Sequence, residues 1–265
     1  MTALVFDQAP LRVYWELTRA CDLACRHCRA DAVRERSREE LTTEECERVL
    51  SALSRAEGQA PHVVFTGGDP LKRPDLVRLV SSGVARGLGV SVGPTATPSL
   101  SRDTVNALRA AGVSAMSLSV DGPSAAHHWL ARNAGRWPFV ASTTEAPHFR
   151  RVRLQTAPER GEAGGQAQRA RGLGIRDGNG IMFIAANGEV TPSGFLPLSA
   201  GNVRNHDPLE LYREADVFRA LRSPERLEGR CGACQFRQIC GGSRARAWAA
   251  TGNVLAEDPL CAWQP

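Results

Sequence analysis

Hydrophobic positions in the N-terminal half recur at two different periods. β-Prone runs at 11–18 (LRVYWELT), 62–68 (HVVFTGG), 88–93 (LGVSVG) and 114–122 (SAMSLSVDG) read as strands, each ending in a polar or glycine-rich turn. Between them the spacing changes to that of helices with legible ends. Thr42 and Glu45 stand in capping-box relation, ahead of a stripe formed by Cys46, Val49, Leu50 and Leu53. Pro74 suits the first turn of a second helix, which carries Leu76, Leu79 and Val80. Ser101 caps a third, with Val105 and Leu108 turned inward and Gly112 just past its end. This alternation predicts parallel βαβ units and an α/β protein, of the barrel or the doubly wound kind.

After Asp121 the rhythm fails. The next thirty or so positions offer one poor helix and one weak strand around Phe139–Ser142. Residues 157–180 hold seven glycines without periodicity and read as a flexible connection. Pattern resumes with IMFIAANGEVTPS, where Asn187-Gly188 predicts a hairpin. A helix over about Pro208–Ala220 then leads into a cysteine-rich C-terminus.

Composition narrows the class. The chain has 265 residues, 42% hydrophobic and 23% charged, as expected of a soluble globular protein. Its net charge of +5 comes from 32 Arg and the single Lys72 against 28 acids. These charges are scattered, and no basic run with interleaved aromatics supports nucleic-acid binding. There is no apolar run of the roughly 18 residues that a membrane helix needs, and no signal-peptide pattern at the N-terminus, so the expectation is a cytosolic protein.

Eight cysteines in a reducing compartment do not suggest disulfides. Cys46 lies on a core stripe and reads as an inert buried thiol. The other seven fall into two groups that suggest metal binding or catalysis. Cys21, Cys25 and Cys28 form a CxxxCxxC triplet on the loop leaving the first strand. A structural zinc site or a [4Fe–4S] cluster normally takes four protein ligands, so three thiolates would leave one iron of a cluster open to another molecule. Cys231, Cys234, Cys240 and Cys261 make a closed set of four, for zinc or for a fully ligated cluster.

The triplet, with TGGDP at 66–70 and SLSVDGP at 117–123, resembles the radical S-adenosylmethionine (radical SAM) enzymes. The resemblance implies a partial TIM-type barrel and a catalytic [4Fe–4S] cluster on Cys21, Cys25 and Cys28. SAM chelates the open iron, an electron from the reduced cluster breaks a sulfur–carbon bond, and the 5′-deoxyadenosyl radical abstracts a substrate hydrogen. Gly67, Gly68 and Asp69 are similar to the family's GGE motif, which meets the methionine amino group. Ser119 and Asp121 are the further SAM contacts implied, with Ser117, Thr95 and Thr97 as lesser rim candidates.

The second cysteine group resembles a SPASM or shorter twitch domain holding an auxiliary [4Fe–4S] cluster. One auxiliary cluster is expected, because Ser193 and Arg244 stand where an inner cluster would need Cys. GFLPLSAGNVR and CGGSRARA resemble the branch that includes haem-biosynthesis and peptide-modifying proteins. That branch implies a peptide or tetrapyrrole-like substrate and a flavodoxin- or ferredoxin-type reductant.

The expected organisation is a barrel over 1–156, a connection over 157–180 and a SPASM/twitch-like domain over 181–265. The family barrel has six βα units, and four strands are countable here. At ~30 residues per unit, roughly 60 residues are absent around 133–139. Self-association would be one way to complete such a core. Two alternatives stay open: a non-catalytic iron–sulfur remnant with a barrel too short for SAM turnover, and a zinc-stabilised binding module. His127, His128, Glu145 and His148 read as solvated or loop residues.

Overall fold

A computed structural model describes residues 6–119 and 174–264. Asp121, the weak elements around Phe139–Ser142 and most of the glycine-rich connection lie outside the described residues. The first half runs β1 (Arg12–Thr18), α1 (Thr43–Leu53), β2 (His62–Gly67), α2 (Leu76–Ala85), β3 (Gly89–Val92), α3 (Arg102–Ala110) and β4 (Ala115–Met116). The second half runs β5 (Arg176–Asp177), β6 (Gly180–Ile184), β7 (Glu189–Thr191), β8 (Gly201–Asn202), α4 (Pro208–Glu214), α5 (Asp216–Leu221), α6 (Gly229–Ala233) and α7 (Arg244–Thr251).

The helix ends follow the side chains expected of them. Thr42 and Glu45 complete a reciprocal capping box on α1, and Ser101 accepts the Thr104 amide at the start of α3. Val105 departs from its expected inward face and is exposed, leaving Leu108 as the buried residue of α3. The helix expected over Pro208–Ala220 is two, because Ala215 is extended (ψ 134°) and breaks the run between α4 and α5.

The strands form one open, mixed sheet in the order β4-β3-β2-β1-β6-β7-β8, with β5 beside β6. β1 to β4 are mutually parallel, and β6 pairs parallel with the free side of β1, from Arg12↔Ile181 to Trp15↔Ile184. The C-terminal segment extends the first sheet and covers an edge that four strands alone would expose. Arg176 and Asp177, within the glycine-rich stretch, are buried strand residues. Asn187-Gly188 makes the predicted hairpin between β6 and β7, with Gly188 at φ +88°.

Val13, Trp15 and Leu17 of β1 point into the core with Phe65, Val90, Leu50 and Leu79. Trp15 and Phe65 meet edge-on at 5.8 Å, a contact worth about 1 kcal/mol beyond area burial. Arg73, although charged, is also in this layer. It donates to the carbonyls of Leu17 (3.2 Å) and Leu41 (2.9 Å) and to Asp75 (2.6 and 2.8 Å), and lies 3.9 Å from the Cys46 sulfur.

Burial pushes the Cys46 thiol up from 9.0 to about 12. The folded state therefore favours the protonated thiol, and the stability this contributes is complete below pH 9 and lost as pH rises toward 12. Urea unfolding across that window should show the native chain losing up to about 4 kcal/mol more than Cys46→Ala. Parallel losses in the two proteins would contradict the buried-thiol account.

Candidate metal centres

The first cysteine group hangs from the C-terminal end of β1. After a register shift between Glu16 and Thr18, Thr18 pairs with Gly67. The pairing continues past the strands, with Gly68 N–H donating to Thr18 O and Asp69 N–H to Ala20 O, both at 2.8 Å. A Cβ on Gly67 would lie 2.3 Å from Thr18 O; one on Gly68 would lie 2.5 and 2.6 Å from the carbonyl oxygens of Arg19 and Ala20. The two glycines are thus required by the approach of one backbone to another.

The loop is closed at its neck. Cys21 N–H donates to Val33 O (2.8 Å) and Val33 N–H to Arg19 O (3.0 Å), and Arg19 reaches across to Ala30 O (2.9 Å) and Asp31 O (2.6 Å). Glu40 braces the entrance, accepting from Thr18 Oγ1 (2.6 Å), Arg19 N–H (3.3 Å) and Arg36 Nε (2.7 Å). Within the loop, Cys28 N–H donates to Cys25 O at 3.1 Å. Cys21 is buried, Cys28 half-buried and Cys25 exposed. Cys21 Sγ accepts from Leu23 N–H (3.4 Å) and lies 3.9 Å from Thr95 Oγ1.

Asp69 is fully buried. Its carboxylate accepts from Leu71 N–H (3.1 Å), Thr95 N–H (3.4 Å) and Thr97 Oγ1 (3.0 Å), and Thr95 Oγ1 donates to Gly68 O (2.8 Å). The carboxylate caps its own turn and, with Thr95 and Thr97, ties the loop after β2 to the loop after β3. Ser117 continues the rim, its N–H donating to Val92 O (3.0 Å), while Ser119 lies exposed beyond β4.

Glu16 and Arg29 did not stand out in the sequence. On β1 the alternation Tyr14, Glu16, Thr18 marks the face opposite the core. There Arg29, the residue after Cys28, donates to Glu16 (3.0 Å) and lies 4.7 Å over the Phe183 ring of β6. Burial pushes the Glu16 carboxyl up, and the Arg29 guanidinium opposes it.

In the C-terminal segment Cys231, Cys234, Cys240 and Cys261 line one pocket, together with Phe236, Gly242, Asp258 and Trp263. Burial pushes the Cys240 thiol up; the Gly242 amide opposes this, and the other three sulfurs add to it. Donors surround the sulfurs: Phe236 N–H to Cys234 (3.4 Å), and Asp258 N–H (3.4 Å) and Arg244 Nη2 (3.5 Å) to Cys231. Ser193 and Arg244, the two non-cysteine positions, are both buried. Among the described residues no three His, Cys, Asp or Glu side chains converge as ligands of a single metal ion. A pocket lined by sulfurs with N–H donors aimed at them fits a thiolate-ligated cluster, and the closed-neck loop with three thiols fits one with an open corner.

Residues 15–146 match the radical SAM superfamily. An AdoMet-dependent heme synthase of Methanosarcina barkeri is 30% identical over 348 residues, covering 99% of each chain. The chain belongs to the radical SAM superfamily. A PqqA peptide cyclase of Rhodopseudomonas palustris is 27% identical, over 97% of this chain and 88% of that one. The heme synthase alignment is longer than this 265-residue chain, so that radical SAM relative carries sequence absent here. Among solved structures, Streptococcus suis SuiB bound to S-adenosylmethionine superposes with a TM-score of 0.62 at 14% identity, over 97% of this chain and 78% of that one. At that identity the likeness establishes the radical SAM fold. Iron–sulfur and SAM binding follow from membership of the superfamily. No helix among the described residues is long and apolar enough to cross a membrane.

Proposed function

We propose that this radical SAM protein holds a [4Fe–4S] cluster on Cys21, Cys25 and Cys28, and an auxiliary [4Fe–4S] cluster on Cys231, Cys234, Cys240 and Cys261. The observation that carries the reading is the joining of the thiol loop to the C-terminal ends of β1, β2 and β3, where parallel α/β sheets place their ligands. When bound there, the first cluster supplies an electron that cleaves SAM, and the resulting radical abstracts a substrate hydrogen. The chain's own residues hold the geometry. Gly67 and Gly68 bring the β2 turn against the loop entrance, Asp69 fixes that turn to Thr95 and Thr97, and Ser119 and Asp121 are the further residues proposed to contact the methionine end of SAM.

The substrate class we propose is a tetrapyrrole or a peptide, as the names of the heme synthase and peptide cyclase relatives suggest. The reaction would be of oxidoreductase or lyase type, and the electron would come from a flavodoxin- or ferredoxin-type donor. At the second centre, tetrahedral zinc would draw its thiolates to within on the order of 4 Å of one another, whereas a cube spreads them. What supports the cluster is the gathering of Cys231, Cys234, Cys240 and Cys261 around one pocket in a chain of an iron–sulfur superfamily.

A second reading is favoured by one observation, the sequence that the longer heme synthase relative has and this chain lacks. On that reading the protein keeps its clusters without turning over SAM. Anaerobic reconstitution should give about eight irons per chain with matching sulfide. Dithionite reduction with SAM should then yield 5′-deoxyadenosine. Both clusters present with no product would establish the remnant; zinc without sulfide would remove both readings.

A further inference from the structure

Arg244, the first residue of α7, is fully buried beside the second cysteine group. Its Nη1 donates to the carbonyls of Val254 (2.8 Å) and Ala256 (2.7 Å), and its Nη2 to Cys231 Sγ (3.5 Å). Its Nε is buried with no hydrogen-bond partner among the described residues. Asp258, which lines the same pocket, is engaged by Arg246 Nε (3.1 Å) and Nη2 (2.7 Å) and by the amides of Ser243 (2.7 Å) and Leu260 (3.1 Å). Among the described residues Arg244 bonds to two carbonyls and a sulfur and pairs with no carboxylate.

A guanidinium held away from water is costly unless an anion offsets it. Asp258 is shared between Arg246 and two backbone amides and Asp177 accepts from the Ala245 amide, so the acceptor that Arg244 itself meets and that would gain charge on binding iron is the Cys231 sulfur. Glycine makes the approach feasible: a Cβ on Gly242, which has φ +65°, would stand 2.7 Å from Arg244 Nη2 and 3.0 Å from Cys231 Sγ.

We propose that Arg244 is the buried counter-cation of the auxiliary cluster and raises its reduction potential. The inference rests on the proposal that this centre is an iron–sulfur cluster. Reduction adds one electron from a low-potential donor and breaks no bond, so the cluster and its thiolates gain one negative charge. A fixed positive charge and an N–H···S bond in a low-dielectric site favour that reduced state over the oxidised one. Arg244 acts through Cys231, and is a tuning and positioning residue with no role in touching substrate.

The test is a spectroelectrochemical titration, followed by EPR, of the reconstituted full chain and of its Arg244→Met and Arg244→Lys variants. Arg244→Met should lower the equilibrium constant for reducing the auxiliary cluster at least tenfold, which for one electron is about 59 mV toward negative potential. Arg244→Lys should stay within threefold of the native value, and the first cluster should titrate unchanged in all three proteins. Iron loss in Arg244→Met alone, with Arg244→Lys native in content and midpoint, would also uphold the need for charge. An unmoved midpoint in Arg244→Met, or equal shifts in both variants, overturns the proposal. So does loss of about four irons from both variants, which would make Arg244 a structural strut. Zinc at this centre in the native chain would instead overturn the underlying cluster assignment, and the tuning role with it, before any substitution is made.

Discussion

Gly68→Ala should strip the protein of its first cluster and lower its stability by about 3 kcal/mol. The methyl group would be placed 2.5 and 2.6 Å from two backbone oxygens, Arg19 O and Ala20 O, neither of which can rotate away as a side-chain tip could. Relief requires β2 to withdraw from the entrance of the thiol loop. That breaks the bonds from Gly68 N–H to Thr18 O and from Asp69 N–H to Ala20 O, and loosens the Thr95 hydroxyl's bond to Gly68 O. Iron should fall from about eight to about four per chain, the auxiliary irons remaining. Gly87→Ala is the internal contrast: at φ +80° with nothing within 4 Å of the added carbon, it should cost only about 1 kcal/mol and no iron. Native iron content in Gly68→Ala would show that the close approach is dispensable.

Cys25→Ala should have the larger effect on chemistry and almost none on the fold. Cys25 is exposed, so its removal leaves no cavity and no unpaired buried group. A cluster left with two protein ligands in place of three should be lost. The variant should hold about four irons, unfold at the native temperature when iron-free, and form no 5′-deoxyadenosine from SAM. A Cys25→Ala protein that still cleaves SAM would move the catalytic centre elsewhere.

Local signals carried the helix caps of the first half and the hairpin of the second. The capping box at Thr42 and Glu45, the Ser101 cap and the Asn187-Gly188 turn each involve residues a few positions apart, and each formed as its chemistry requires. The pairing of β6 with β1 was not legible, because a short apolar run states that it is buried and not which strand lies beside it. Its continuous apolar character (IMFI) was the available hint of a central parallel strand.

The site divides in the same way. The two cysteine groups are visible as spacing alone, and one pocket does gather the second of them. The Asp69 carboxylate bonds its own turn's amide, as a short side chain at the start of a turn is placed to do, and also accepts from Thr95 and Thr97, long-range contacts with no local signature. Glu40 joins Thr18 across 22 positions and Arg29 joins Glu16 across 13; no local pattern announces either contact. Spacing presents Arg244 only as a position without cysteine, whereas its burial against Cys231 gives it a place of its own.

The EPR spectrum of the reduced native protein, recorded with and without SAM, bears most directly on the first centre. Binding of a sulfonium ligand's amino and carboxylate groups at an iron that no side chain holds should alter the signal of the cluster on Cys21, Cys25 and Cys28, and leave that of the auxiliary cluster as it was. Two signals that SAM leaves untouched would mean that the thiol triplet offers no open iron, and the proposed chemistry would not stand.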